Sequence, residues 1–163
     1  NLRMECILLN DKLEPQISSF CFATILKGQE LEMSIGSPYY IAPELFADND
    51  DETYSFPVDV YAFAMILYRM FSLNILFADK KPIKSPHQFM MKISRGNRPE
   101  RPKNIPDHYW DLIEMCWNQD PLERPTFDEI TILLRKDKYA LEEFGQKTDL
   151  DQLHEYQQRM DID

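Results

Sequence analysis

Val58-Asp59-Val60-Tyr61-Ala62-Phe63-Ala64-Met65-Ile66-Leu67-Tyr68-Arg69-Met70-Phe71 is the stretch on which the reading of this chain turns. These fourteen residues are apolar almost throughout, interrupted by Asp59 at the start and Arg69 near the end, and they suffice for nearly four helical turns. A surface helix shows one apolar stripe; a helix apolar all round belongs inside a domain with other helices packed about it. The stretch is shorter than the ~20 residues that cross a bilayer, so it predicts a buried core helix. Asp59 follows Pro57 at the helix start, where a carboxylate can accept hydrogen bonds from unpaired backbone N–H groups. Capping is the simpler reading. The alternative, that Asp59 ties down a neighbouring functional loop, stays open on position alone.

A chain of 163 residues fits one domain with a core that needs no disulfides. Cys6, Cys21 and Cys116 are scattered, with no C-x-x-C pair and no Cys/His cluster. That predicts reduced thiols in the cytoplasm, with neither a disulfide frame nor a bound metal. Eighteen basic residues face twenty-eight acidic ones, a formal charge of −10, which argues against nucleic acid or an anionic membrane and leaves protein partners. The N-terminus has no signal-peptide pattern, and Asn1 leads straight into a structured stretch, so the expectation is part of a longer chain.

Taken in order, Cys6 to Leu9 and Gln16 to Ser18 read as a small hairpin about Asn10-Asp11 and Pro15. No period holds from Phe22 to Ile41, a segment too long for an ordinary connector and therefore expected to be functional. Ala42 to Phe46 begins a short helix. Asp48, Asp50 and Glu52 alternate like calcium ligands, but the turn glycine and distal glutamate of a calcium loop are missing, so this is read as a solvated loop. Asp79 to Lys84 is a further loop. Ser85-Pro86 opens a helix that Gly96 closes, and Asn97 to Pro106 is an extended, proline-bearing connector. Asp107 is expected to cap a helix with Trp110, Ile113, Cys116 and Trp117 on one face. Thr126 to Glu129 forms a capping box before a helix with Ile130, Leu133 and Leu134 inward. Beyond Lys138 the chain is acidic and glutamine-rich; Leu150, Leu153, Tyr156 and Met160 form a weak amphipathic stripe.

Three motifs then stand together: Gly36-Ser37-Pro38-Tyr39-Tyr40-Ile41-Ala42-Pro43-Glu44, Asp59-Val60-Tyr61-Ala62-Phe63, and Cys116-Trp117-Asn118-Gln119-Asp120-Pro121-Leu122-Glu123-Arg124-Pro125. In this order they resemble the C-terminal lobe of a eukaryotic protein kinase, the third being most similar to the tyrosine-kinase-like group. The resemblance implies a mainly α fold: a kinase C-terminal lobe over residues 1–136 with a small β-hairpin. A helical extension at 137–163 and an N-terminal lobe encoded upstream complete the expectation. It further implies that Glu44 pairs with Arg124 and that Asp59 holds the catalytic-loop backbone. The irregular segment becomes the activation segment, carrying Ser34, Ser37 and Tyr40. Ser34 is the candidate for phosphorylation by another kinase, and Ser37 is expected to fill a structural role.

Phosphoryl transfer needs a carboxylate to orient the attacking hydroxyl, and an Asp and an Asn to hold magnesium. By the same resemblance Asn1-Leu2-Arg3-Met4-Glu5-Cys6 lines up with the catalytic loop D-L-x-x-x-N, and Ser19-Phe20-Cys21 with D-F-G. Asn1, Cys6 and Ser19 then replace the catalytic aspartate and both magnesium ligands. No Gly-rich phosphate loop and no V-A-I-K lysine occur in these residues, so no ATP, magnesium or other metal is expected on this chain, although the family uses ATP and Mg. The function this implies is an inactive kinase-fold interaction or scaffold module in cytoplasmic signalling. The alternative is a truncated part of an active ATP-dependent serine/threonine protein kinase.

Overall fold

A local hydrogen-bond set at Asn10 makes the first element. Its side-chain oxygen accepts from the backbone N–H groups of Lys12 and Glu14 at 2.9 Å each, and its amide donates to the Glu14 carboxylate at 2.8 Å. Leu13 sits at φ 62°, the left-handed conformation that completes the reversal. The flanking residues pair antiparallel as β1 (Ile7–Leu9) and β2 (Pro15–Ile17), in the register Ile7 to Ile17, Leu8 to Gln16 and Leu9 to Pro15. Cys6, expected to open the first strand, instead ends a 3-10 turn over Met4–Cys6. The computed structural model describes residues 2–20, 23, 38–46, 55–72, 85–136 and 158. Asn1, Cys21, Ser34, Ser37, the acidic stretch 48–52, the loop 79–84 and, apart from Gln158, the extension 137–163 lie outside these residues.

The uniformly apolar stretch is α1 (Pro57–Ser72), and it runs through the core. Tyr61, Ala64 and Met65 have no exposed surface, and Val58, Val60, Ala62, Ile66, Leu67 and Tyr68 are buried around them. α3 (Asp107–Cys116) packs against α1, burying Leu112, Ile113 and Cys116 completely. Between these two helices the aromatic rings interlock. Trp117 meets Trp110 edge-on at 5.4 Å and Tyr68 at 5.9 Å, and Phe71 meets Tyr109 at 4.7 Å. α2 (Pro86–Ser94) contributes the fully buried Phe89 and Ile93, with Tyr39 edge-on to Phe89 at 4.9 Å.

The ends of α2 follow from its sequence. Ser85 accepts from the Gln88 N–H at 3.3 Å, and Gly96 lies at φ 80° beyond the last turn, donating to the Ile93 carbonyl. α3 begins differently from expectation. Pro106 holds the capping position and offers no side-chain acceptor, while the Asp107 carboxylate pairs with Arg101, a contact that holds its pKa low. The chain divides into two compact units, Asn1–Thr126 and Phe127–Asp163. In the second, α4 (Phe127–Leu134) starts directly after Thr126, with Ile130 buried and Leu133 and Leu134 half-buried.

A side chain at Gly96 would meet no atom within 4 Å but would still hold the backbone in the left-handed region. Gly96→Ala is expected to lower stability by about 1 kcal/mol, read as a lower urea midpoint at unchanged slope.

Candidate functional site

The hairpin register decides what surrounds Cys6. Continuing past the Ile7–Ile17 pair, the Cys6 carbonyl accepts from the Ser18 N–H at 2.8 Å and from its hydroxyl at 3.0 Å. The turn thus brings Cys6 beside Ser18, twelve positions later in sequence, with Ser19 following. Cys6 is 1% exposed, and its sulfur accepts a hydrogen bond from Arg3 Nε at 3.2 Å. Ser19 is exposed and holds φ 64°, a conformation uncommon for a residue with a Cβ.

A magnesium ion wants several hard oxygen ligands in an open octahedron. Here the thiol is sealed from solvent and already engaged by a guanidinium, whose charge repels a cation at that spot. The donor set does not suit magnesium. Among the described residues, no three His, Cys, Asp or Glu side chains come together in a way that could hold a metal ion.

Arg69, the one cation in the otherwise apolar run of α1, reaches out of the core. Through Nη1 it donates to Glu5 Oε1 at 2.5 Å and to the Tyr40 hydroxyl at 2.7 Å. The Arg69 hydrogen bond holds the Glu5 pKa below the usual glutamate range. Sequence reasoning did not foresee this node. The signal was present in a single arginine interrupting a core helix, but its partners lie 64 and 29 positions away in sequence.

Glu44 and Arg124 meet as a bidentate pair, Nη1 to Oε1 at 2.6 Å and Nη2 to Oε2 at 2.7 Å. Arg124 also donates to the carbonyls of Pro57 at 3.0 Å and Asn118 at 2.9 Å, and its side chain is wholly buried while that of Glu44 is 14% exposed. The pair therefore joins three segments: the 3-10 turn Pro43–Phe46, the start of α1 and the loop after α3. Two guanidiniums lie over the Tyr61 ring, Arg124 at 5.2 Å and Arg98 at 5.3 Å from its centroid. Arg98 donates to the Trp117 carbonyl at 2.8 and 3.0 Å and to Gln119 at 3.0 Å. Burial pushes the Tyr61 phenol up to about 12, and its oxygen has no hydrogen-bond partner among the described residues.

Asp59 lies in the first turn of α1, where its own N–H donates to the Phe56 carbonyl and that of Val58 to Ser55. Its carboxylate keeps contact with solvent and forms no hydrogen bond among the described residues; the protein packed round it desolvates the group and raises its pKa.

A profile for the protein kinase domain matches residues 1–133, and the chain belongs to that family. The mostly helical first unit with its two-stranded hairpin is consistent with the C-terminal lobe of the kinase fold. Among the relatives, a probable serine/threonine-protein kinase of Dictyostelium discoideum is 38% identical over 109 residues, 66% of this chain and 11% of that protein. The RGS domain-containing serine/threonine-protein kinase A of the same organism is 31% identical over 134 residues, 82% of this chain and 11% of its own length. The mouse (Mus musculus) dual serine/threonine and tyrosine protein kinase is 29% identical over 138 residues, 83% of this chain and 14% of its own length. This chain thus spans a small part of each relative.

Deleting either half of the Glu44–Arg124 pair strands the other. Glu44→Ala and Arg124→Ala are each expected to destabilise by on the order of 3–5 kcal/mol, and the double variant by much less than the sum, in a denaturant-based double-mutant cycle. A different sign is expected at Asp59. Its folded pKa lies above the unfolded value, so its ionised form opposes folding fully above the folded pKa, and that penalty vanishes as pH falls to the unfolded value near 3.8. Asp59→Asn should raise the Tm at about pH 7, with the gain shrinking toward about pH 4. A lower Tm at neutral pH would show that the carboxylate holds a partner.

Proposed function

We propose that this chain is a kinase-fold module that does not transfer phosphate and acts through contacts with other proteins. The observation that supports the reading is the Arg3–Cys6 hydrogen bond: at the position the resemblance gives to a magnesium-binding asparagine, a buried thiol is already engaged by a guanidinium. Ser19 supplies a neutral hydroxyl where the resemblance puts a metal-binding aspartate, and Asn1 stands where it puts the catalytic one. Positioning and charge do nearly all the work in phosphoryl transfer, so neutral replacements remove the chemistry and leave the framework intact.

The hairpin supports the second half of the proposal. Leu8, Leu9, Leu13, Ile17 and Phe20 are each more than half exposed, a concentration of large apolar side chains that marks a contact surface. The partners in this reading are cytoplasmic proteins, and the net charge of −10 disfavours nucleic acid and anionic lipid. The names of the relatives favour a second reading, in which the chain is part of an active serine/threonine kinase.

Magnesium-ATP is expected to leave the Tm unchanged, and no phosphate should pass from labelled ATP to a generic protein substrate. Activity that is lost on Ser19→Ala would favour the second reading. The combined change Asn1→Asp, Cys6→Asn, Ser19→Asp should introduce a magnesium-dependent rise in Tm that the parent lacks.

A further inference from the structure

Arg69, in the last turn of α1, holds the protein through a single nitrogen: Nη1 donates to Glu5 Oε1 at 2.5 Å and to the Tyr40 hydroxyl at 2.7 Å. Those two bonds occupy both hydrogens on Nη1. Nε and Nη2 meet no acceptor among the described residues, and the side chain is 35% exposed. The Nε–Nη2 edge of a guanidinium is a flat fork that takes a carboxylate through two parallel hydrogen bonds. Here the opposite side of the group is already clamped. Tyr40 ends the 3-10 turn Pro38–Tyr40 with its ring in the core, so the plane of the guanidinium is set before anything binds and little side-chain freedom is left to lose.

What fits this edge is limited by charge. Glu5 already offsets part of the charge on Arg69, and it repels a doubly charged phosphate more than a singly charged carboxylate. The net charge of −10 likewise disfavours a partner that is acidic throughout. The neighbouring surface sets a second limit. Glu5 precedes the exposed Leu8 by three positions, a reach of at most about 11 Å along the backbone, and Leu9 and Ile17 extend the same apolar hairpin. We propose, resting on the hairpin as a contact surface, that Arg69 anchors a protein-binding site. It takes the carboxylate of one Glu or Asp set among apolar residues in a segment of a partner protein, and the apolar neighbours of that residue cover Leu8 and Leu9. The arginine supplies orientation and selectivity; the leucines supply contact area.

The test uses the whole 163-residue chain and three probes: the peptide acetyl-Ser-Leu-Glu-Leu-Ser-amide and its counterparts with glutamine or phosphoserine in place of glutamate, with the Arg69 Nε–H signal followed by 15N NMR. The expected result is a saturable shift of that signal with the glutamate peptide and about tenfold weaker binding of the glutamine one. Arg69→Gln should bring those two peptides to equal affinity. Glu5→Gln keeps an acceptor oxygen for Nη1 but removes the competing charge, so it should bind the glutamate peptide severalfold more tightly; this variant decides the matter if Arg69→Gln fails to fold. Unchanged or weaker binding in Glu5→Gln would overturn the proposal, as would tighter binding of the phosphoserine peptide or an Arg69 signal that none of the peptides moves. Equal binding of the glutamate and glutamine peptides, with shifts at Leu8 and Leu9 alone, would overturn the Arg69 anchor and leave the hairpin standing as a contact surface. Phosphate transfer from ATP by the parent chain would count against the inactive reading and leave the Arg69 site standing.

Discussion

A single buried guanidinium holds the described parts of the first unit together. The side chain of Arg124 is wholly buried, and its charge is tolerable because Glu44 meets it with two parallel hydrogen bonds and two backbone carbonyls accept the rest. The consequences radiate from there. The Pro57 carbonyl fixes where α1 begins, the Asn118 carbonyl fixes the loop after α3, and the glutamate fixes the turn that follows Tyr40. Tyr61, at the centre of α1, lies against both this guanidinium and that of Arg98, so the core helix and the polar anchor are one packing unit.

The buried anchor and the hairpin therefore answer to different forces. The anchor is stabilised by charge pairing away from solvent and by aromatic packing, and neither depends on the side chains at Cys6 and Ser19. At Cys6 the backbone closes the hairpin onto Ser18, and Ser19 takes a left-handed conformation, while the side chains there are a thiol and hydroxyls. Hairpin pairing is a matter of main-chain hydrogen bonds, so the backbone at this point is set without reference to the donor atoms that the side chains carry.

What was legible in the sequence was local. The absence of any polar face announced α1 as a core helix, Ser85 and Gly96 marked both ends of α2, and Asn10 with Pro15 marked the hairpin. The period of Ile113, Cys116 and Trp117 gave the inward face of α3, although Trp110 is only half-buried and Tyr109 and Leu112 share the burial. What was not legible depends on long side chains reaching between elements. Asp107 has the chemistry of a helix cap, but Arg101 lies within reach and a charged partner outcompetes a backbone N–H. The Arg69 node has no periodic signature, since a flexible cation chooses its acceptor only after the backbone is in place; the Arg3–Cys6 contact spans only three positions but needs the 3-10 turn that brings the two together. Cys6 fell outside its expected strand because the chain makes a 3-10 turn to bury the thiol.

The distances along the chain between these contacts carry a consequence for assembly. The hairpin closes within a dozen residues, but the Arg69–Glu5 contact spans 64 positions and the Arg124–Glu44 contact spans 80. Closing such large loops comes late and slowly, so during synthesis the early segments wait, apolar side chains uncovered, until the ribosome has released the loop after α3. In that interval a nascent polypeptide of this kind is a client for chaperones, and a message interrupted before that loop would yield a product that cannot complete its core.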